Sequence, residues 1–118
     1  MSKILILDDD QIRHDQFAKK YIGQELTHVY TAKEAIAALQ TEKFDYVFLD
    51  HDLGGTTMVS SGEGTGYEVA EWTANNKEFA PSHMVLLHSL NPPGRKNMYN
   101  VLSAKGIMVM DSPFLWQK

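Results

Sequence analysis

The chain contains no cysteine. It can therefore form neither a disulfide framework nor a thiolate zinc site, and thiol nucleophilic catalysis is excluded. It also lacks a basic excess, with 11 lysines and arginines against 15 aspartates and glutamates and a formal charge of −4. Bulk nucleic-acid binding, which needs a basic surface to displace the counterions of phosphates, is not expected, although a nucleic-acid end stays open as a partner. No apolar run approaches the roughly 18 residues of a membrane-spanning helix, and the N-terminal apolar stretch is too short for a signal peptide. The expectation is thus a cytoplasmic chain with no membrane partner. With 43% hydrophobic residues over 118 positions, the composition suits one compact core, taken as a single domain spanning 1–118.

Along the chain, short apolar runs alternate with helical patterns. Residues 3 to 7, Lys-Ile-Leu-Ile-Leu, stop abruptly at Asp8-Asp9-Asp10, as a strand buried on both faces does where it opens into a polar loop. Ile12, Phe17, Tyr21 and Ile22 fall at helical spacing over Gln11 to Ile22, and Gly23 follows as a stop. A second strand is read at Leu26 to Tyr30, and Thr31-Ala-Lys-Glu34 is a capping box opening a helix with Ala35, Ile36 and Leu39 on its apolar side. Phe44 to Leu49 forms a third strand ending in Asp50-His51-Asp52. A Gly, Ser and Thr-rich loop from Gly54 to Gly66, suited either to a lid or to a disordered connection, leads to a helix from Tyr67 to about Asn75. Met84 to Leu87 is a fourth strand ending at His88-Ser89. Asn91-Pro92-Pro93-Gly94 then introduces a helix from about Arg95 to Ala104, and Ile107 to Met110 is a fifth strand. The repeated β-α order predicts an α/β fold, a three-layer doubly wound parallel sheet of five strands in order 2-1-3-4-5. The residues after the fifth strand are too few for a full fifth helix.

Ligands of such sheets sit at the carboxyl ends of the strands, at the switch point between strands one and three. Asp8, Asp9 and Asp10 lie at one of these ends, Asp50 and Asp52 at its neighbour, and His88 at the end of strand four. Carboxylates so close repel and raise one another's pKa, so the ionised cluster calls for a cation, and hard oxygen ligands point to Mg²⁺, Mn²⁺ or Ca²⁺. Asp10 fits a helix cap as well as a ligand. His51, on the opposite side of its strand from Asp50 and Asp52, reads as a packing or supporting group. His14, His28 and His83 are assigned to the surface, and Met84, Met98, Met108 and Met110 to the core. His88 suits proton transfer, with a scaffold histidine as the alternative.

These residues resemble the receiver domain of two-component response regulators over Ile4 to Phe114. The resemblance implies that Asp8 and Asp9 bind a divalent ion, Mg²⁺ or Mn²⁺, and that Asp50, closing Phe-Asp-Tyr-Val-Phe-Leu-Asp, stands at the phosphoacceptor. Asp52 falls where the family places a further metal ligand, and Ser112-Pro113-Phe114 matches the Lys-Pro-Phe signature, whose X-Pro bond is typically cis. The lysine that grips the phosphoryl group is Ser112 here, and His88 with Ser89 replaces the hydroxyl residue after strand four. The motifs Asp8-Asp9-x-x-x-Arg13, Leu-Asp-His-Asp-Leu at 49 to 53, Gly-x-Gly-Tyr at 64 to 67 and His-Ser-x-Asn-Pro-x-Gly-x-x-x-Met at 88 to 98 are similar to the cyclic-phosphate processing receiver domains.

The implied activity is metal-dependent phosphoester hydrolysis of a small cyclic phosphate or nucleotide end, as by a phosphodiesterase-like hydrolase. Asp8, Asp9, Asp50 and Asp52 would be metal ligands, and Asp50, His88 and His51 would be catalytic. Arg13, Ser89, Asn91, Gly94, Arg95 and Ser112 would receive the substrate. A phosphoacceptor domain in signalling, or a degenerate receiver that binds a partner, is the alternative.

Overall fold

A computed structural model of the chain describes residues 1–53 and 60–112. The elements are β1 (Lys3–Leu7), α1 (Gln11–Lys20), β2 (Glu25–Val29), α2 (Ala32–Thr41), β3 (Tyr46–Leu49), α3 (Gly66–Asn75), a 3₁₀ turn (Lys77–Phe79), β4 (Met84–Leu87), α4 (Pro92–Ser103) and β5 (Val109–Asp111). The strands form one parallel sheet in the order β2-β1-β3-β4-β5, the order read from the sequence. Element ends move by a few residues: α1 stops before Tyr21 and Ile22, α4 starts at Pro92, and β5 starts at Val109. Part of the loop from 54 to 66, the Ser112–Pro113 bond expected to be cis, and Phe114 lie outside the described residues. Among the described residues no helix is long and apolar enough to cross a membrane.

Strand periodicity divides the core into two layers. Leu5 and Leu7 of β1 point with Val47, Leu49, Val85, Leu87 and Val109 toward α2, α3 and α4, where Ala35, Leu39, Val69, Ala70, Met98 and Leu102 meet them. Ile4 and Ile6 point the other way with Phe48, and Phe17 of α1 fills that thinner layer. Helix caps follow the sequence: Asp10 Oδ1 accepts from Ile12 N at 2.9 Å, and Thr31 with Glu34 forms the anticipated capping box.

Two core assignments are corrected by the same parity. Met98 is buried, but Met108 and Met110 flank the inward Val109 and are 63% and 51% exposed on the α1 side of the edge strand, where no described element covers them. Ile12 is also exposed, because only the His14 and Phe17 side of α1 faces the sheet, and Ile22, past the end of the helix, is exposed as well. Phe17→Ala is therefore expected to cost about 3–5 kcal/mol in denaturant unfolding, the range for a buried aromatic truncated to Ala. Met110→Ala should change stability by less than about 0.5 kcal/mol, as surface substitutions do.

Candidate active site

The sheet register sets the site. Leu7, Leu49 and Leu87 are paired across β1, β3 and β4, so the residues that follow them, Asp8, Asp50 and His88, emerge in a row. Alternation turns all three toward the α1 side, in line with Ile6, Phe48 and Leu86. Each offers a ligand atom, and these atoms lie within 4.8 Å of one another in a buried group. The ring of Phe17 packs edge-on against His88, with centroids 5.2 Å apart.

Asp8 also starts the turn into α1, its Oδ1 accepting from Asp10 N at 2.9 Å. This local turn brings Arg13, in the first turn of the helix, back over the carboxylates. Arg13 donates from Nε to Asp8 Oδ2 at 2.7 Å and from Nη2 to Asp8 Oδ1 at 2.9 Å. It also lies 3.7 Å from Asp9, 3.3 Å from Asp10 and 3.6 Å from Asp50. The cation called for by the sequence is thus supplied in this structure from within the chain. Arg13, expected to face a phosphate, faces four carboxylates.

Electrostatics separate the two central acids. Burial alone would raise Asp8, but hydrogen bonds from His88 and Arg13 outweigh it and hold its carboxyl well below the usual range. Asp50 is pushed up to about 8, first by burial and then by the charge of Asp8, against which the more distant Arg13 is too weak. Burial lowers His88 below its ordinary value despite the Asp8 contact. The ring is accordingly neutral near pH 7 and donates Nε2–H to Asp8 Oδ2 at 2.9 Å.

The remaining candidates assemble elsewhere. His51, one residue past Asp50, turns to the opposite face of the sheet and is fully buried beneath α4. Its Nδ1 meets Asp52 Oδ1 at 2.9 Å and its Nε2 meets Ser61 Oγ at 2.8 Å. Asp52, expected among the metal ligands, is thereby turned toward His51 and Asn91. Asn91, expected to receive phosphate, caps α4 through Oδ1 to Gly94 N at 3.1 Å and donates Nδ2–H to Asp52 at 2.9 Å. Gly94 gives up its amide to that cap, and a Cβ there would lie 2.5 Å from the His51 ring. Its role is close approach to the ring. Gly66 is required in the same way, since a Cβ would fall 1.7 Å from the Asp50 carbonyl oxygen. Arg95 is tied to Ser89 O at 2.6 Å and faces Asp111 at 3.6 Å. Ser89 Oγ accepts from Asn91 N at 3.1 Å, and Ser112 joins the sheet edge through its amide to Leu87 O at 2.7 Å.

Two histidines read as surface groups belong instead to the support of the site. His14 is buried, with Nε2 on the Asp8 carbonyl at 2.8 Å and Nδ1 on His28 Nδ1 at 2.7 Å. The signal was available: His14 precedes Phe17 by three positions on one helix face, and His28 is in register with Ile6. His83 is exposed, as expected.

The profile of the Cyclic-phosphate processing Receiver domain matches residues 3–104. The chain belongs to this family. Solved receiver structures share the fold. TrrA from Thermotoga maritima, determined with Mg²⁺ and BeF, is 19% identical with a TM-score of 0.69, covering 99% of this chain and 91% of that one. CheY4 from Vibrio cholerae is 18% identical with a TM-score of 0.69 over 99% and 89% of the two chains. A CheY-like receiver domain from Methanospirillum hungatei is 20% identical with a TM-score of 0.66 over 96% and 82%. No curated protein sequence matches the chain. In this cyclic-phosphate processing receiver domain the acidic pocket occupies the carboxyl edge of β1 and β3, with His88 of the next strand closing it.

The raised Asp50 pKa has a definite consequence for stability. Folded protein retains the Asp50 proton up to about pH 8, whereas the unfolded chain releases it near 3.8. The contribution is therefore complete at acid pH and is lost as pH rises through that window. Asp8 acts in the opposite sense, losing its contribution only as pH falls below the usual carboxylate range. Without divalent ions, the melting temperature of the wild type should fall from about pH 5 to about pH 9 relative to Asp50→Asn, whose neutral amide does not titrate. A constant difference between the two melts across that range contradicts the assignment.

Proposed function

We propose that the acidic pocket binds Mg²⁺ or Mn²⁺ and that the domain hydrolyses a small cyclic phosphate or a phosphate-bearing nucleotide end. The observation that carries this reading is the buried convergence of Asp8, Asp50 and His88, with ligand atoms within 4.8 Å of one another, in a chain of the cyclic-phosphate processing family. The donor set fits the ion: carboxylate oxygens are hard ligands, and a divalent charge would relieve the repulsion that raises Asp50 to about 8. Asp8, Asp9 and Asp50 would hold it. Asp52, turned onto His51, is left out of that set and serves to orient the ring. When bound, such an ion polarises phosphoryl oxygens and lowers the pKa of a coordinated water.

The chain's own groups perform the rest. Arg13 occupies the carboxylates in the ion's place and must withdraw from Asp8 for the ion to enter. Once released, its guanidinium is a fixed, fork-shaped cation at the pocket, suited to two phosphate oxygens. It would thus replace the positive charge missing at Ser112. His88 carries a neutral ring with a proton on Nε2, the atom placed to protonate a leaving oxygen when Asp8 turns to the ion. Phe17 keeps water from the inner side of that ring.

A screen of cyclic phosphates and cyclic nucleotides with Mg²⁺ or Mn²⁺, followed by ³¹P NMR, tests the reading. The expected result is conversion of a cyclic diester to a free monoester. Asp50→Ala should abolish it together with calorimetric Mg²⁺ binding. His88→Gln should retain binding and turn over roughly 10²–10⁴ times more slowly. Unchanged Mg²⁺ affinity in Asp50→Ala removes the metal site. A stable phosphoryl adduct on Asp50 without free product assigns the domain to signalling instead.

A further inference from the structure

We propose that Ser61, His51 and Asp52 form a second reactive site, a nucleophilic triad that accepts the acyl group of a small uncharged ester onto Ser61. It does not depend on the acidic pocket, because strand alternation sends His51 to the α3 and α4 side of the sheet while Asp50 faces α1. The connections follow the order that a base-activated hydroxyl needs. Asp52 Oδ1 lies 2.9 Å from His51 Nδ1, and a carboxylate oxygen accepts, so this contact takes the tautomer with its proton on Nδ1, while Asn91 Nδ2, 3.3 Å from the same nitrogen, donates to Asp52. Nε2 then presents a lone pair. Ser61 Oγ lies 2.8 Å from it and directs its hydroxyl proton there.

The ring is held in place beforehand. It is fully buried, and Asn91 Nδ2 donates to the same Asp52 oxygen at 2.9 Å. Gly94 leaves the space that a Cβ, 2.5 Å from the ring, would take. Ser61, by contrast, is only half-buried. It opens onto a groove of about 570 Å³ between α3 and α4 whose other walls are Tyr67, Asn97, Asn100 and Val101. Among the described residues that line it no side chain is charged, which suits a neutral acyl ester better than a phosphate. Asn97 Nδ2 donates to Ser61 Oγ at 2.9 Å and holds the hydroxyl oxygen at the mouth of the groove.

In the acylation step the Oγ–C bond forms and the ester C–O bond breaks. The Oγ proton passes to His51 Nε2 and then to the departing alkoxide, which leaves as the alcohol. Water, deprotonated by the same nitrogen, cleaves the acyl group from Ser61 as the acid and restores the hydroxyl.

The test is labelling of the full chain with a fluorophosphonate and with p-nitrophenyl acetate, in the presence of a metal chelator, with peptide mapping by mass spectrometry. The expected result is one adduct, on Ser61, absent from Ser61→Ala. Labelling should slow roughly 10²–10⁴-fold in Asp52→Asn, which keeps the side-chain volume but removes the acceptor for Nδ1–H. Asn97 is exposed on α4, so Asn97→Ala should keep the fold, and it should label roughly 10²-fold more slowly as Ser61 Oγ loses the bond that positions it. If Asp52→Asn fails to fold, Asn97→Ala alone decides. No adduct on Ser61, an adduct shared equally with Ser60, or a Ser61 rate unaltered in the folded variants overturns the proposal and leaves Ser61 as a hydrogen-bond partner of His51.

Discussion

The Arg13–Asp8 contact, two hydrogen bonds of 2.7 and 2.9 Å to a carboxylate with no exposed surface, is the interaction on which the carboxyl edge of the sheet depends. Taking a carboxylate out of water is costly unless it is paired and hydrogen-bonded. Register forces a second acid, Asp50, beside the first, and the arginine cannot serve both equally. The result is an asymmetric pair, in which Asp8 stays ionised and Asp50 is pushed up to about 8. The layers beneath are arranged around that pair. Phe17 backs His88, His14 secures the Asp8 carbonyl, and the Asp8 turn launches α1 so that Arg13 can reach back.

A receiver scaffold normally relies on a lysine near the last strand and a hydroxyl after the fourth to handle a phosphoryl group. Where the sequence resembles those signatures this chain carries Ser112 and His88, and the cation beside the carboxylates is Arg13 of α1. In the reading proposed above, a guanidinium and an imidazole beside paired carboxylates serve bond cleavage with proton transfer rather than long-lived storage of a phosphoryl group.

The fold was legible because five apolar runs end abruptly in polar residues, and the spacing of Asp8, Asp50 and His88 from those runs predicted their convergence. Less legible were contacts made across the loops. Asp52 and Asn91 are 39 positions apart, and only the turns that directly follow β3 and β4 bring them together around His51. In this register Asp52 turns toward His51, whereas its place at the strand end and the receiver motif suggested a metal ligand. Helix α1 misled for a different reason: its apolar positions are sparse, and the side facing the sheet is marked by His14 and Phe17 while Ile12 is exposed. Ser61, one serine in a loop rich in small polar residues, carried no signal of its own before His51 was placed.

Competition between Arg13 and a divalent ion for the same carboxylates is the central claim, and calorimetric titration of Mg²⁺ into wild type and Arg13→Met tests it most directly. If the guanidinium holds the ion's place, its removal leaves Asp8 and Asp50 without their cation, and Mg²⁺ should bind more tightly in Arg13→Met than in the wild type, with a larger rise in melting temperature at equal ion concentration. Equal or weaker binding in the folded variant would contradict the account.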